Sequence, residues 1–362
     1  MNLPTRKLHD LGQSIWLDNI TRDMLTGGVL RRYIDEYSVT GLTSNPTIFD
    51  HAIKNSSAYD VAIAARRKLG VSGEQLLFDL MLDDVVQAAD LFHSIHARSN
   101  GVDGWVSIEV SPLLAHDAET TLAQARQLHG RAGRSNIFIK IPGTVEGLRA
   151  IEEASFAGIP VNVTLLFSRE HYLAAADAHL RGVERRIAAG LNPAVASVAS
   201  LFVSRWDVAA NAKVPGDLAN RLGLAVAQST YLAYREFLAS PRYQRVLNAG
   251  GRPQRLLFAS TGAKDPKASD VLYVEALAAP LTVNTMPEGT LQAFADHGRL
   301  GAVLPIDRAA SDALLAEFAG IGVDLAQWAG SLQDEGAKSF VRSWSELLGV
   351  IAAKGEALEQ SQ

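Results

Sequence analysis

Three side chains able to move protons or attack carbonyls sit inside otherwise apolar runs. Lys140 lies in "IFIKIP" (137–142), with isoleucine on either side. Lysine is almost never fully buried without a partner, so the position has two readings. One is an edge-strand lysine whose head reaches water along its own aliphatic stem. The other is a carbonyl nucleophile: desolvation favours the uncharged amine, which can attack a ketone and form an imine. An iminium then serves as an electron sink for cleaving an adjacent carbon–carbon bond. Glu109 in "WVSIEV" (105–110) and Asp18 in "SIWLDN" (14–19) are the carboxylates in comparable settings. Either can carry protons to and from hydroxyls. Either can also be structural, Glu109 as the partner of a core cation and Asp18 as part of a helix start in "DNITRD". Arg205 in "SLFVSRWD" and Lys264 in "STGAKDP" follow apolar runs and suit a phosphate, with an exposed surface cation as the alternative. In "TGLTSNPTIFD" (40–50), Thr43, Ser44 and Asn45 end an apolar run just before Pro46. That pattern caps a helix, or lines a pocket.

The elements around these residues decide between the readings. Eight short runs have strand character: 14–19, 39–44, 105–110, 137–142, 161–167, 196–203, 255–260 and 281–285. Helical patterns such as "DAETTLAQARQLHG" and "REHYLAAADAHLRGVERRIAAG" lie between most of them. Strands alternating with helices make βα units on a parallel sheet, and eight of them predict an α/β fold, a (β/α)8 TIM barrel, over an open doubly wound sheet. A single barrel domain is expected over residues 1–362. Extra helices are expected within 46–104, and a helical extension from about 287 to the end, packed outside the barrel or over its mouth.

Parallel barrel strands should be apolar on both faces, yet these carry polar residues on one face near their C-terminal ends. Trp16 and Asp18 alternate with Ile15 and Leu17, and Ser107 and Glu109 with Val106, Ile108 and Val110. Lys140 alternates with Ile139 and Ile141, Asn162 and Thr164 with Val161, Val163 and Leu165, and Ser200 and Phe202 with Ala199, Leu201 and Val203. Thr43 and Asn45 repeat the arrangement around Leu42. Pointing inward at strand ends, such residues converge where barrel active sites lie.

Composition narrows the classes. With 48% hydrophobic and 20% charged residues the chain has material for a large core, and its net charge of -5 argues against a nucleic-acid partner. No apolar run approaches the length of a membrane span, and "MNLPTRKLHDLGQSIW" has no signal-peptide h-region. The absence of cysteine excludes disulfides, thiolate metal sites and cysteine nucleophiles, and fits a cytoplasmic protein. His93 and His96 share a helix face, but no third ligand accompanies them, so no metal is expected. Neither phosphate-binding nor dinucleotide glycine motif is present. Nothing in the sequence speaks to oligomeric state.

"GLTSNPTIF" and "IFIKIPGTVEGLRAIEEA" resemble, in order and strand position, the two signatures of the transaldolase family among the class I aldolase barrels. "VNVTLLFS" (161–168) and "VNTMPE" (283–288) are similar to it as well, so the resemblance spans nearly the whole chain. The opening "LGQSIWLDNITRDML" and the helical tail look most like its longer bacterial subfamily. The resemblance implies that Lys140 forms a Schiff base with a sugar phosphate and that no cofactor takes part. It implies acid–base and hydroxyl contacts for Asp18, contacts from Asn45 to the dihydroxyacetone unit, and proton transfer by Glu109 through a water held with Thr164. Asn162 and Ser200 would contact the Schiff-base intermediate, Phe202 would line the pocket, and Arg205 and Ser260 would hold phosphate. Many members have an arginine beside the matching serine, where this chain offers Lys264 after a longer turn. Related aldolases that release free dihydroxyacetone carry tyrosine where this chain has Phe202. A sugar-phosphate-binding protein without catalysis is a further alternative, against which the intact Lys140, Glu109 and Asp18 stand.

Overall fold

The computed structural model describes residues 3–44 and 46–360, with the backbone alone at 46–48, 50 and 51. Eight parallel strands close into a barrel, each hydrogen-bonded to its neighbours in sequence and β8 returning to β1. The strands are β1 Ser14–Leu17, β2 Val39–Leu42, β3 Trp105–Glu109, β4 Ile137–Pro142, β5 Val161–Leu166, β6 Ser197–Phe202, β7 Gln254–Ala259 and β8 Val283–Met286. Each overlaps the run expected from sequence. Asp18 and Thr43 lie just past the ends of β1 and β2, yet their N–H groups still donate to Met286 O (2.8 Å) and Leu17 O (2.9 Å). β8 begins two residues later than expected, because Leu281 adopts a left-handed φ of 64° that extended pairing does not allow.

The alternation along the strands sorts two packing zones. Ile15, Leu17, Val106, Ile108, Ile139, Ile141, Val163, Leu201 and Phe258 face the surrounding helices and are fully buried there. The opposite face fills the barrel from its N-terminal end with Trp16, Trp105, Phe138, Val198, Leu257 and Val283. Trp105 stacks on Phe138 with ring centroids 4.1 Å apart, and Trp16 tilts against Phe138 at 6.1 Å. Below this plug, Asp103 accepts from Ser14 Oγ (2.6 Å) and Trp16 Nε1 (3.1 Å), while Arg255 donates to Ser14 Oγ (2.6 Å). The aromatic plug therefore separates this polar cluster at the bottom of the barrel from the polar side chains above it.

The β2–β3 crossover carries three helices, Pro46–Asn55, Asp60–Lys68 and Gly73–Arg98. The sequence predicts helix from about 287 to the end, but the segment after β8 is interrupted. Helices Glu288–His297 and Arg308–Gly320 are separated by an irregular stretch at 298–307, where Gly298, Gly301 and Pro305 disfavour helix. The C-terminal helix Leu325–Gln360 then docks on the crossover helices. Lys354 donates to Ile53 O (2.8 Å) and pairs with Asp60 (2.8 Å), Arg67 pairs with Glu359 (2.7 Å), and Trp344 donates to Glu74 (3.0 Å).

Gly41 on β2 faces the plug, and a Cβ there would lie 2.6 Å from atoms of the Trp16 indole. The ring cannot swing away without losing its bond to Asp103. Gly41→Ala is therefore expected to cost about 1–3 kcal/mol, the usual scale of overpacking, in urea unfolding. Trp16→Phe in the same chain should recover part of that loss, giving a double variant more stable than the sum of the single changes.

Candidate active site

β3 and β4 run in register with Glu109 opposite Lys140, and β5 places Asn162 on the other side of Lys140. Neighbouring parallel strands lie about 4.8 Å apart, so the two charged groups are side by side. Lys140 Nζ is 3.2 Å from Glu109 Oε2 and donates to Ser44 O at 3.4 Å. Both residues are buried, Lys140 6% and Glu109 1% exposed. Burial pushes the Glu109 carboxyl up, the Lys140 ammonium pulls it back, and the charge of Asp18 adds to the rise. A buried amine at the end of a barrel strand is placed to attack a carbonyl carbon.

Hydrogen bonds fix the surrounding groups. Asn162 Nδ2 donates to Ser107 Oγ (3.1 Å), and Ser200 Oγ donates to Asn162 Oδ1 (2.7 Å), a chain running across β3, β5 and β6. Thr43 Oγ1 lies 2.9 Å from both Asp18 Oδ1, to which it donates, and Thr285 Oγ1. Glu109 Oε1 and Thr164 Oγ1 are buried with no hydrogen-bond partner among the described residues.

Above Lys140 opens a cavity of about 210 Å³ whose wall includes Asp18, Ser200, Phe202, Arg205, Ser260 and Lys264. Arg205 sits in the first turn of the helix Ser204–Ala210, with Cζ 5.2 Å from the Phe202 ring centroid and 6.0 Å from that of Phe340. It makes no ion pair among the described residues. Burial lowers its pKa from the usual arginine range, with Asp18 and Glu335 opposing the shift. Ser204 Oγ and Ser260 Oγ are 2.9 Å apart, and Ser260 has a φ of 57°. Lys264 is exposed at the rim. Two cations and two hydroxyls thus share a cavity with a buried amine, an arrangement that suits a phosphorylated carbonyl compound.

A family model described as Transaldolase/Fructose-6-phosphate aldolase matches residues 15–351. Curated relatives named Transaldolase align along nearly their whole lengths. That of Thermobifida fusca is 44% identical over 361 residues, covering 97% of this chain and 98% of the relative. That of Acidothermus cellulolyticus is 44% identical over 370 residues, covering 100% and 99%, and that of Thiobacillus denitrificans is 42% identical, covering 97% and 100%. The chain belongs to the transaldolase/fructose-6-phosphate aldolase family.

Of the residues picked out in the sequence, nine line this family member's cavity: Asp18, Thr43, Lys140, Thr164, Ser200, Phe202, Arg205, Ser260 and Lys264. Glu109 and Asn162 contact that lining without lining the cavity themselves, the first against Lys140 and the second against Ser200. Asn45 falls outside the described residues. The cavity also takes in Ser204, Thr285 and Phe340. Thr285 repeats the polar strand-end pattern within "LTVNT" and could have been read from it. Phe340 follows no such pattern, since it comes from the C-terminal helix.

The raised Glu109 carboxyl gives a signed expectation. Its ionised fraction should begin to fall at a pH above the ordinary glutamate value of about 4.3. The acid limb of kcat/KM should therefore lie above that pH. Glu109→Gln should flatten the limb and lower turnover roughly a hundredfold or more. A limb unchanged in the variant would assign it to another group, with Asp18 the next candidate.

Proposed function

We propose that the protein is a cytoplasmic transaldolase of the non-oxidative pentose phosphate pathway. It moves a dihydroxyacetone unit from sedoheptulose 7-phosphate or fructose 6-phosphate to glyceraldehyde 3-phosphate or erythrose 4-phosphate. The observation that carries this reading is the buried Lys140, backed by Glu109 at 3.2 Å, in the same cavity as Arg205 and Ser260. Lys140 attacks the C2 ketone, and loss of water leaves an iminium. Glu109, acting through a water held with Thr164, assists that dehydration and takes the proton of the C4 hydroxyl. The C3–C4 bond breaks, its electron pair moves toward the iminium nitrogen, and an aldose phosphate departs. The enamine that remains adds through carbon to the second aldose phosphate, whose carbonyl oxygen takes up the proton. Hydrolysis of the new iminium frees the ketose phosphate and the amine.

In this reading Asp18 and Asn45 hold hydroxyls of the three-carbon unit, and Asn162 and Ser200 bond the intermediate. Arg205, Ser260 and Lys264 take the phosphate. The lysine iminium is itself the electron sink, so the chemistry calls for no metal or organic cofactor. Phe202 supplies no proton to the enamine, which favours transfer over release of free dihydroxyacetone.

Borohydride added with fructose 6-phosphate should leave a reduced three-carbon unit on the peptide containing Lys140. Lys140→Arg should abolish turnover, because a guanidinium stays protonated. Label on a different lysine would overturn the assignment.

Acceptor dependence supplies a separate check. Without an aldose acceptor, glyceraldehyde 3-phosphate release should stop after about one equivalent per active site, the burst expected of a covalent intermediate. Sustained cleavage would mark a fructose-6-phosphate aldolase instead. Phe202→Tyr, by adding a hydroxyl that can donate a proton, should raise the acceptor-independent rate.

A further inference from the structure

The C-terminal helix brings Gln333, Gly336 and Phe340, three positions on one face, onto the mouth of the barrel. Gln333 Nε2 donates to Leu165 O (2.8 Å) and Gly143 O (3.1 Å), which ties the helix to backbone acceptors at the ends of β5 and β4. Gly336 allows the approach to be close. A Cβ at that position would lie 2.9 Å from Leu165 Cδ2 and 3.3 Å from Arg205 Nη1. One turn further on, Phe340 is 5% exposed, and its ring centroid lies 5.6 Å from Lys140 Nζ. The same ring lies 6.0 Å from Arg205 Cζ, which is also 5.2 Å from the Phe202 ring.

We propose that Phe340 is a specificity-determining residue that keeps bulk water from the intermediate on Lys140, with Gln333 as the residue that positions it. The inference rests on the transaldolase reading and adds to it a second group, beside Phe202, that biases the choice between transfer and release. After C3–C4 cleavage the electron pair of that bond resides in the enamine. Addition to an acceptor aldehyde converts it into a new carbon–carbon bond, and the aldehyde oxygen takes a proton. Release instead requires a proton, delivered by water, on the enamine carbon. Hydrolysis of the resulting iminium by water then frees dihydroxyacetone and returns the lysine amine. Iminium hydrolysis is common to both routes, so protonation of the enamine is the step that competes with transfer. An aromatic ring within 6 Å of the amine denies that step its water while leaving room for an aldehyde entering from the phosphate side.

The test compares the unmodified protein with Phe340→Ala, Phe340→Leu and Gln333→Ala in deuterated water. Transfer is followed with fructose 6-phosphate and erythrose 4-phosphate, and release with fructose 6-phosphate alone. Phe340→Ala should raise the ratio of release to transfer roughly tenfold, about 1.4 kcal/mol of relative barrier. The freed dihydroxyacetone should carry deuterium on the former enamine carbon. Phe340→Leu and Gln333→Ala should move the ratio in the same direction and less far. Loss of the Arg205 contact alone would raise KM for fructose 6-phosphate in both reactions and leave the ratio unchanged, which would overturn the proposal. Should Phe340→Ala melt early, Phe340→Leu keeps most of the apolar volume, and an unchanged ratio there overturns the proposal equally. Borohydride labelling of the unmodified protein separates the two levels. Label at Lys140 with an unmoved ratio defeats the role of Phe340 alone, whereas no label on an active preparation defeats the Schiff-base reading beneath it.

Discussion

A lysine ammonium and a glutamate carboxyl, buried side by side on adjacent strands, set the condition the rest of the structure has to meet. Removing each charge from water costs several kcal/mol, which mutual attraction repays only when geometry is held closely. Register between β3 and β4 provides that geometry, since Glu109 and Lys140 are direct partners in the ladder. A slip of one residue would turn Lys140 toward the helices and put isoleucine in the barrel. The closed sheet removes free edges along which such a slip could begin. The aromatic plug of Trp16, Trp105 and Phe138 then fills the barrel beneath the pair, so that the polar layer lies toward the C-terminal mouth.

The cost of burying the pair is also the source of its chemistry. Desolvation pushes the Glu109 carboxyl up and one ammonium pulls it back, the kind of perturbed group that clusters at functional sites. Asp18, bonded to Thr43 at 2.9 Å, raises it further without touching it. The Ser107–Asn162–Ser200 chain holds an amide beside the lysine with its oxygen already accepting, which aims the remaining Asn162 donor capacity. Every one of these contacts joins different strands, so the site exists only when the barrel is closed.

Much of this was legible along the chain because strands carry a period of two. A polar residue at every second position near a strand end is a local signal, and Asp18, Glu109, Lys140, Asn162, Thr164 and Ser200 all carry it. The two long motifs pointed to the family that the full-length match shows, and Arg205 stood out as a cation following an apolar run. What periodicity could not supply was anything contributed from elsewhere in the chain. Phe340 belongs to an ordinary apolar stripe of a 36-residue helix, and only docking reveals that one member of the stripe faces the lysine. The docking depends in turn on the crossover helices, through Lys354, Arg67 and Glu74. The break at 298–307 was readable from its glycines and proline, but was obscured by the helical character of the segments on either side.

The end of β5 shows how far barrel and extension depend on each other. Pairing with β6 shifts register between Val163 and Leu166, and Leu165 takes a φ of 59°. A branched residue in that region costs on the order of 1–3 kcal/mol and persists only where its surroundings over-determine it. Here the surroundings are the C-terminal helix. The carbonyl of Leu165 accepts from Gln333, and its side chain packs with Phe167, 1% exposed, where only a glycine at 336 leaves room. Without the bulge the Leu165 side chain would point toward the helices, as Val161 and Val163 do, and its carbonyl would stay in the ladder. The strained turn therefore gives the extension its anchor, and the extension supplies the contacts that hold the strained turn. Phe340 sits two turns beyond that anchor, so the position of the ring above Lys140 is fixed by the same backbone that carries Asn162 and Thr164 into the site.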